Sequence, residues 1–316
     1  MIMGEDDMKS MKEAAFHQLE KGNFFGGAYL FAHRIKVSMY KHLSDEDCLR
    51  KMYQEKLNKE LNVDCPKTFN EKLQWLKLYN RQPDYTMLAD KYAVKQYVTD
   101  KIGSEYVVPL LGVWDDFSDI DFSALPEQFV LKCSHDCGSI VICRDKKTFD
   151  YDAARKKLTL CLKRNYYWES REWPYKNIPS KIIGEEYLDS GDGKPPVDYK
   201  FYCFDGEPKV MLITTDRGKD TRFDYFDIDF NHLEFVRGRP NASTLPERPR
   251  DFGKMLSLAA ILSKGIPFIR IDFYSVNDQI YFGEYTFFPA GGGASFVPEQ
   301  WDYILGSWLT LPEKHG

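Results

Sequence analysis

Two segments, Phe268–Tyr274 (FIRIDFY) and Ile280–Thr286 (IYFGEYT), decide how this chain is interpreted. They flank Asn277-Asp278, a turn-forming pair, and therefore predict an antiparallel hairpin. Successive side chains of a strand point to opposite faces, so Arg270 and Asp272 share one face and the apolar residues beside them share the other. A register that keeps the buried sides together sets Asp272 opposite Glu284.

Side chains opposed on neighbouring strands lie about 5 Å apart at Cβ. Two carboxylates at that distance repel unless a positive charge lies between them. Mg²⁺ can supply that charge, because it takes carboxylate oxygens and keeps its other positions for phosphate and water. An ion pair of Arg270 with Asp272 or Glu284 can supply it too, and the spacing leaves both open. Thr286, on the same face, adds a hydroxyl oxygen.

Around this hairpin lies a chain of 316 residues with a net charge of -5, long enough for one large domain or two of ordinary size. The mild acidity argues against a nucleic-acid-binding face, which needs an excess of Lys and Arg. Seven scattered cysteines indicate a reducing compartment, so we expect a cytoplasmic protein. No secretory signal or transmembrane segment is evident, and residues 24–32 predict either a buried amphipathic helix or a peripheral membrane contact.

The order of elements predicts an α+β fold. Residues 5–80 are expected to be helical, with a capping box at Thr68–Glu71. Short strands follow Gly103, and two hairpins end the chain. The strands are expected at 107–111, 129–132, 139–142, 181–184, 198–204, 209–215, 268–274 and 280–287, with helices at 151–165 and 251–264. We divide the chain into an N-terminal helical region (1–80) and two α+β subdomains (81–184 and 185–316).

Several cations accompany the acidic pair. Lys132 ends an apolar strand and must reach water or an anion, because an unpaired buried ammonium is costly. The small polar loop Ser134–Ser139 follows it, and either covers phosphates or is a plain hairpin turn. His135 in this loop is a candidate general base or phosphate contact. With Lys200, Arg217 and Arg270, this set suits phosphoryl transfer with Mg²⁺, although the sequence contains no P-loop or dinucleotide fingerprint.

The order of these motifs resembles the ATP-grasp superfamily and, more closely, the TupA-like ATP-grasp family, over about residues 65–312. The resemblance implies two α+β subdomains that hold ATP and Mg²⁺ between antiparallel sheets. It also implies a ligase with a role in polysaccharide biosynthesis. It rests on Thr68–Leu76, Ala89–Tyr92, Phe129–Lys132, Glu185–Leu188, Asp198–Phe201, Arg270–Tyr274 and Tyr281–Phe287.

The resemblance also implies a role for each matching position. Lys91 and Lys132 are implied to contact the phosphates, and Asp272 and Glu284 are implied to bind Mg²⁺. Thr286 stands where many ATP-grasp enzymes have Asn. That departure weakens the case for a two-metal site. The implied ATP-binding set is completed by the covering loop (Ser134, His135, Gly138, Ser139), the adenine segment (Glu185, Glu186, Tyr187, Leu188), Asp198 at the ribose and Lys200 near the phosphates or substrate. Arg217 and Arg270 are implied to steady an acyl phosphate.

These roles predict an ATP-dependent carboxylate–amine ligase that acts through an acyl phosphate. The expected substrates are small molecules, possibly sugar-linked: a uronic acid and an amino acid or peptide, joined on a cell-surface polysaccharide or its precursor. One alternative is a metal-dependent glycosyltransferase, because Asp227 and Asp229 form a D-x-D pair that can hold a divalent ion on a nucleotide sugar. Another is a non-catalytic partner in polysaccharide assembly that docks through its N-terminal helices.

Overall fold

The computed structural model describes residue 37 and residues 40–191, 195–216 and 220–314. The helices expected before residue 37, the stretch 24–32 and Arg217 lie outside these residues. None of the helices in the described part of the chain combines the length and the apolar character needed to cross a membrane. The helices that precede the first strand are α1 (Asp45–Leu57), α2 (Phe69–Tyr79), α3 (Asp84–Ala89) and α4 (Val94–Ile102).

A four-stranded antiparallel sheet follows, with the order β1-β4-β2-β3. Helix α5 (Tyr151–Leu162) packs on one face, where Phe129, Leu131 and Cys133 alternate into a separate apolar cluster. The same alternation leaves Lys132 on the opposite face. The strands are β1 (Leu110–Trp114), β2 (Phe129–Cys133), β3 (Val141–Cys143) and β4 (Ile182–Glu186), and a short helix α6 (Tyr167–Ser170) lies between α5 and β4.

A five-stranded antiparallel sheet with the order β10-β9-β5-β6-β7 contains both predicted hairpins. Helix α7 (Phe252–Ser263) covers one of its faces. The strands are β5 (Asp198–Phe204), β6 (Glu207–Thr215), β7 (Arg222–Phe226), β9 (Phe268–Val276) and β10 (Gln279–Thr286). A small pair, β8 (Val236–Arg237) and β11 (Phe296–Val297), and the last helix α8 (Gln300–Trp308) complete the described chain. The expected α+β class is confirmed.

Helix α2 is fixed to the five-stranded sheet from its first turn. The predicted capping box is present, since Thr68 and Glu71 each accept a backbone N–H of the other. Phe69 then packs edge-on against Phe268, with ring centroids 4.9 Å apart, on the face opposite α7. Residues of α3 and α4 join the same apolar cluster as this sheet. The division of the chain at residues 80 and 184 stays a prediction, and this packing ties α2, α3 and α4 to the larger sheet.

Two strands begin at least two residues later than the sequence predicts, and β7, β8 and β11 were not predicted. Strand β1 begins at Leu110 instead of residue 107, because Pro109 has no N–H to donate to a ladder, and Val107 instead forms an isolated bridge with Phe282. Strand β3 begins at Val141 instead of residue 139, because the Ser139 hydroxyl is bonded inside the preceding loop. The register of the last hairpin is confirmed, with Glu284 opposite Asp272.

Helix α8 lies so close to the chain before α2 that its glycine tests the packing. A Cβ on Gly306 would come within 2.3 Å of the Lys67 carbonyl oxygen and 2.8 Å of the Phe69 nitrogen, both backbone atoms. We expect Gly306→Ala to lower the free energy of unfolding by about 1–3 kcal/mol. The matched control is Gly253→Ala in α7, where nothing lies within 4 Å and a gain of up to about 1 kcal/mol is expected. Urea unfolding measures both, and equal effects would contradict the close approach.

Candidate functional site

A row of charged side chains crosses one face of the five-stranded sheet. Pairing of β10 with β9 and of β9 with β5 sets Glu284, Asp272 and Lys200 side by side. The Lys200 ammonium lies 2.5 Å from Asp272 Oδ2 and 3.5 Å from Asp198 Oδ2. A bulge at Gly283, where a Cβ would meet the Asp272 carbonyl oxygen at 3.1 Å, shapes the strand beside this row. The hairpin therefore places its acids where the sequence predicted.

Arg270 links these acids. Its Nε and Nη2 atoms donate to the two oxygens of Asp272 at 2.7 Å each, and Nη2 also donates to Thr286 Oγ1 at 2.9 Å. Glu284 Oε1 lies 3.4 Å from the same nitrogen. Burial alone would lower the pKa of Arg270, but the Asp272 carboxylate outweighs it and raises that pKa. The ion pairs left open by the sequence are therefore formed.

The oxygen donors of this row suit a hard cation. Asp272 and Glu284 offer carboxylates from neighbouring strands, and Thr286 offers a hydroxyl, which are ligands that Mg²⁺ accepts. Glu284 is the most accessible, with 40% of its side chain exposed, whereas Asp272 is 2% exposed and shared with Arg270 and Lys200. Among the described residues, no cluster of three His, Cys, Asp or Glu side chains is arranged as a metal site. A magnesium ion bound here would thus lie in a site that already contains two cationic side chains, those of Lys200 and Arg270.

A second charged group lies on the four-stranded sheet. Lys132 and Lys95 bind the two oxygens of Glu185, at 2.6 and 2.7 Å, and Lys95 also donates to the Val108 carbonyl oxygen at 2.7 Å. Burial alone would raise the pKa of Glu185, but the two ammonium groups outweigh it and hold that pKa below its usual value. Lys132 is therefore paired with an anion, as the sequence predicted, and that anion is the Glu185 carboxylate of the same protein.

Lys95 was not predicted. It comes from α4, which shares an apolar cluster with the five-stranded sheet, and it reaches a carboxylate of the four-stranded sheet, so it links the two sheets. Lys91 precedes α4, so helix spacing from that residue does not single out Lys95. The ribose candidate Asp198 is fully buried beside Lys200.

The loop Ser134–Ser139 has its polar side chains turned inward. Ser134 Oγ donates to the Pro179 carbonyl oxygen at 3.1 Å, and Ser139 Oγ donates to Asp136. Lys91 Nζ donates to the Asp136 carbonyl oxygen, so it contacts this loop. Cys137 is exposed and Gly138 is half-buried. Any phosphate contact here would therefore use backbone N–H groups at the tip, and the predicted contacts of the Ser134 and Ser139 hydroxyls do not fit.

His135 requires a correction. It is 2% exposed, and its Nε2 lies 3.2 Å from the Cys161 carbonyl oxygen and 3.1 Å from that of Arg164. Two acceptors at Nε2 require that this nitrogen carries the proton. Burial lowers the pKa of the ring. Because the imidazole is anchored against the end of α5, it does not fit the predicted phosphate contact or a general base in the cleft.

The adenine segment is divided by strand alternation. Glu185 faces Lys132, whereas Glu186 is exposed and lines a surface cavity of about 570 Å³ with Arg144 and Tyr187. The Arg144 guanidinium lies 5.6 Å from the Tyr187 ring centroid. Leu188 is half-buried, just before Asp189, whose carbonyl oxygen accepts Asn277 Nδ2 at 3.0 Å. The side chains of Glu185 and Glu186 therefore do not line one common site.

Tyr175 connects the loop tip with the charged row. Burial raises the pKa of its hydroxyl well above its usual value, and the nearby carboxylates of Glu172 and Glu284 raise it further. Cys137 at the loop tip and Arg270 also lie within electrostatic range of this hydroxyl. Tyr175 thus stays protonated near neutral pH, and its hydroxyl can both donate and accept a hydrogen bond. No spacing or motif in the sequence pointed to it.

The first aspartate of the D-x-D pair accepts hydrogen bonds from within its own turn. Asp227 Oδ1 accepts the backbone N–H groups of Asp229 at 3.0 Å and Asn231 at 2.8 Å, while Oδ2 accepts the Asn231 amide at 2.9 Å. This is the hydrogen-bonding pattern of an Asx turn. The pair therefore gives the glycosyltransferase alternative no support.

The two antiparallel sheets, with the helices around them, have the arrangement of an ATP-grasp fold. The chain belongs to the TupA-like ATP-grasp family, whose model matches residues 71–310. A comparison with curated proteins finds no match.

Solved structures with a similar fold include D-alanine–D-alanine ligases and D-cycloserine synthetase DcsG. The ligase from Helicobacter pylori is 13% identical, with 77% of this chain and 69% of that chain covered and a TM-score of 0.41. The ligase from Bacillus anthracis complexed with ATP is 12% identical, covering 63% of this chain and 53% of that chain, at a TM-score of 0.37. DcsG is 16% identical, with 64% and 62% covered and a TM-score of 0.35. The chain spans about half the length of the Bacillus anthracis ligase, and these likenesses concern the fold alone.

Lys95 can be tested through its partner. We expect Lys95→Met to lower the free energy of unfolding at pH 7 by about 1–3 kcal/mol, because the buried Glu185 carboxylate loses one of its two cations. Because the pKa of Glu185 is lowered in the folded state, this contribution is present above its usual pKa of about 4.3 and is lost as the pH falls below it. Urea unfolding between pH 7 and 3 measures the difference.

The control is Lys101→Met, which removes an exposed lysine from the same helix. It should change the free energy of unfolding by less than about 0.5 kcal/mol at either pH. A Lys95→Met effect that stays constant across this pH range would show that lost packing, and not the charge pair with Glu185, is responsible.

Proposed function

We propose that this protein is an ATP-dependent carboxylate–amine ligase that acts through an acyl phosphate. The proposal is carried by one observation: Lys132 and Lys95 lie beside Glu185 of one sheet, and Lys200 and Arg270 lie beside paired carboxylates of the other. Membership of the TupA-like ATP-grasp family supports the same function. Four cations close to carboxylates suit a reaction in which a triphosphate and a substrate carboxylate must meet despite their repulsion.

The proposed reaction has two steps. An oxygen of the substrate carboxylate attacks the γ-phosphorus of ATP, the bond to the bridging oxygen breaks, and ADP leaves. The nitrogen of an amine then attacks the acyl carbon, inorganic phosphate leaves, and the nitrogen loses its proton. The enzyme contributes mainly position and neutralised charge, which are the dominant contributions to phosphoryl transfer.

The residues of the cleft divide this work. Lys132 exchanges Glu185 for a phosphate oxygen, and Lys91 at the covering loop stays a candidate phosphate contact. Arg270 is held rigid by Asp272 and neutralises the acyl phosphate, a role in which Arg217 is proposed to assist. Magnesium, which Asp272, Glu284 and Thr286 would hold, supplies further positive charge to the phosphates when bound.

The family context supports a substrate on a cell-surface polysaccharide or its precursor. We propose a uronic acid as the carboxylate and an amino acid or peptide as the amine. Reaction of these partners makes an amide bond at a sugar.

A screen of carboxylate and amine pairs for ADP release tests the function, with hydroxylamine as a trap that converts an acyl phosphate to a hydroxamate. ADP release that needs a uronic acid and yields its hydroxamate supports the proposal. Thermal stabilisation by a UDP-sugar but not by ATP would favour a glycosyltransferase. ATP binding without ADP release for every pair would favour a non-catalytic assembly partner.

Substitution of the carboxylates in the row gives a sharper test of the proposed metal site. Glu284→Gln removes a charge from a side chain that is 40% exposed, so we expect an unchanged melting temperature and roughly 100-fold slower ATP turnover. Asp272→Asn should slow turnover at least as much and also lower the melting temperature, because the buried Lys200 and Arg270 lose their shared anion.

The matched control is Glu207→Gln, at the far end of the same sheet, where the side chain is 74% exposed. It should leave both turnover and melting temperature unchanged. Wild-type turnover in Glu284→Gln would remove the metal assignment.

A further inference from the structure

Lys200 occupies a position that is unusual for a lysine beside predicted metal ligands. Its ammonium lies 2.5 Å from Asp272 Oδ2 and 3.5 Å from Asp198 Oδ2, and only 12% of its side chain is exposed. Both carboxylates are at least 98% buried. Lys200 stands directly opposite Asp272 in the ladder of β5 and β9, so the backbone register fixes its approach.

The cations of the row already contact the carboxylate oxygens that a metal would use. Lys200 lies beside both Asp272 and Asp198, and Arg270 donates to both oxygens of Asp272. A divalent ion bound beside Asp272 must either displace the ammonium or tolerate its repulsion at close range. Thr286 restricts metal binding further, because its single hydroxyl also accepts a hydrogen bond from Arg270 at 2.9 Å.

We propose that Lys200 serves as a built-in cation that takes the place of one metal ion, so that this site binds a single divalent ion with its nucleotide. The inference rests on the proposed function, since it concerns the same site. In this proposal, Lys200 supplies the positive charge beside Asp272 and Asp198 that a second metal ion would otherwise supply. Glu284, which is the most exposed carboxylate of the row, is left as the main ligand for the ion that does bind.

Counting bound Mn²⁺ tests this inference without any measurement of activity. The free ion is followed by electron paramagnetic resonance while Mn²⁺ is titrated into the full chain with a saturating non-hydrolysable ATP analogue. We expect one Mn²⁺ per chain for the wild type and for Lys200→Arg, which keeps the charge. We expect two for Lys200→Met and for Lys200→Gln, which remove it.

Lys209→Met on the neighbouring strand β6 is the control. Its ammonium pairs with Glu207, 3.3 Å away, at the hairpin end of β5 and β6 and not in the row, so the count should stay at one. Two Mn²⁺ in the wild type would overturn the inference, because Lys200 would then yield to the metal. One or none in both uncharged variants would overturn it as well, because Lys200 would not be what limits the count.

The same titration without nucleotide separates this inference from the proposed function. Lys200→Met should bind Mn²⁺ at least about tenfold more tightly than the wild type, because the row gains one net negative charge. Equal affinities would overturn the role of Lys200. If the ATP analogue fails to bind any variant, the proposed ligase function fails, while this comparison still decides whether Lys200 competes with the metal.

Discussion

The site depends on one constraint: carboxylates buried on the face of a sheet must have cations beside them. Asp272 and Asp198 are almost entirely buried, and an unpaired charge in such a place is costly enough to prevent folding in this form. Arg270 and Lys200 meet that need from the same strand and the neighbouring one. The charge pattern that suits ATP chemistry is therefore also what allows this face of the sheet to be closed by the helices around it.

Strand geometry explains how a small number of residues places the charged side chains of the site. In β9, alternation sends Ile269, Ile271 and Phe273 towards the apolar core, and Arg270 and Asp272 towards the cleft. In β2, the same rule buries Leu131 and leaves Lys132 on the other face, where Glu185 meets it from β4. In each sheet the charged side chains thus lie on the face opposite the covering helix, α5 or α7. Lys95 reaches Glu185 from α4, a helix that shares the apolar cluster of the five-stranded sheet.

The parts of the site that the sequence could predict are those set by local rules. The hairpin turn brings β10 beside β9 and the two-residue period separates their faces, while a bulge at Gly283, which was not predicted, completes the predicted pairing of Glu284 with Asp272. The capping box at Thr68 fixes the start of α2. The parts that it could not predict depend on contacts distant in sequence. Whether His135 turns outward or towards the end of α5 depends on two carbonyl groups about 26 and 29 residues later in the chain. Lys95 finds its partner 90 residues away, across the cleft.

In the proposed ligase, entry of a nucleotide would be an exchange of partners at Lys132. Lys132 is already held by Glu185 and by the strand that carries it, so a phosphate need not order a flexible side chain when it arrives. The exchange leaves Glu185 with Lys95, which keeps the buried carboxylate paired. A cleft with Lys132 alone would force a choice between an unpaired carboxylate and an unbound phosphate. The second lysine would remove that conflict, so that α4, a helix outside both sheets, would contribute to nucleotide binding in the proposed ligase through Lys95.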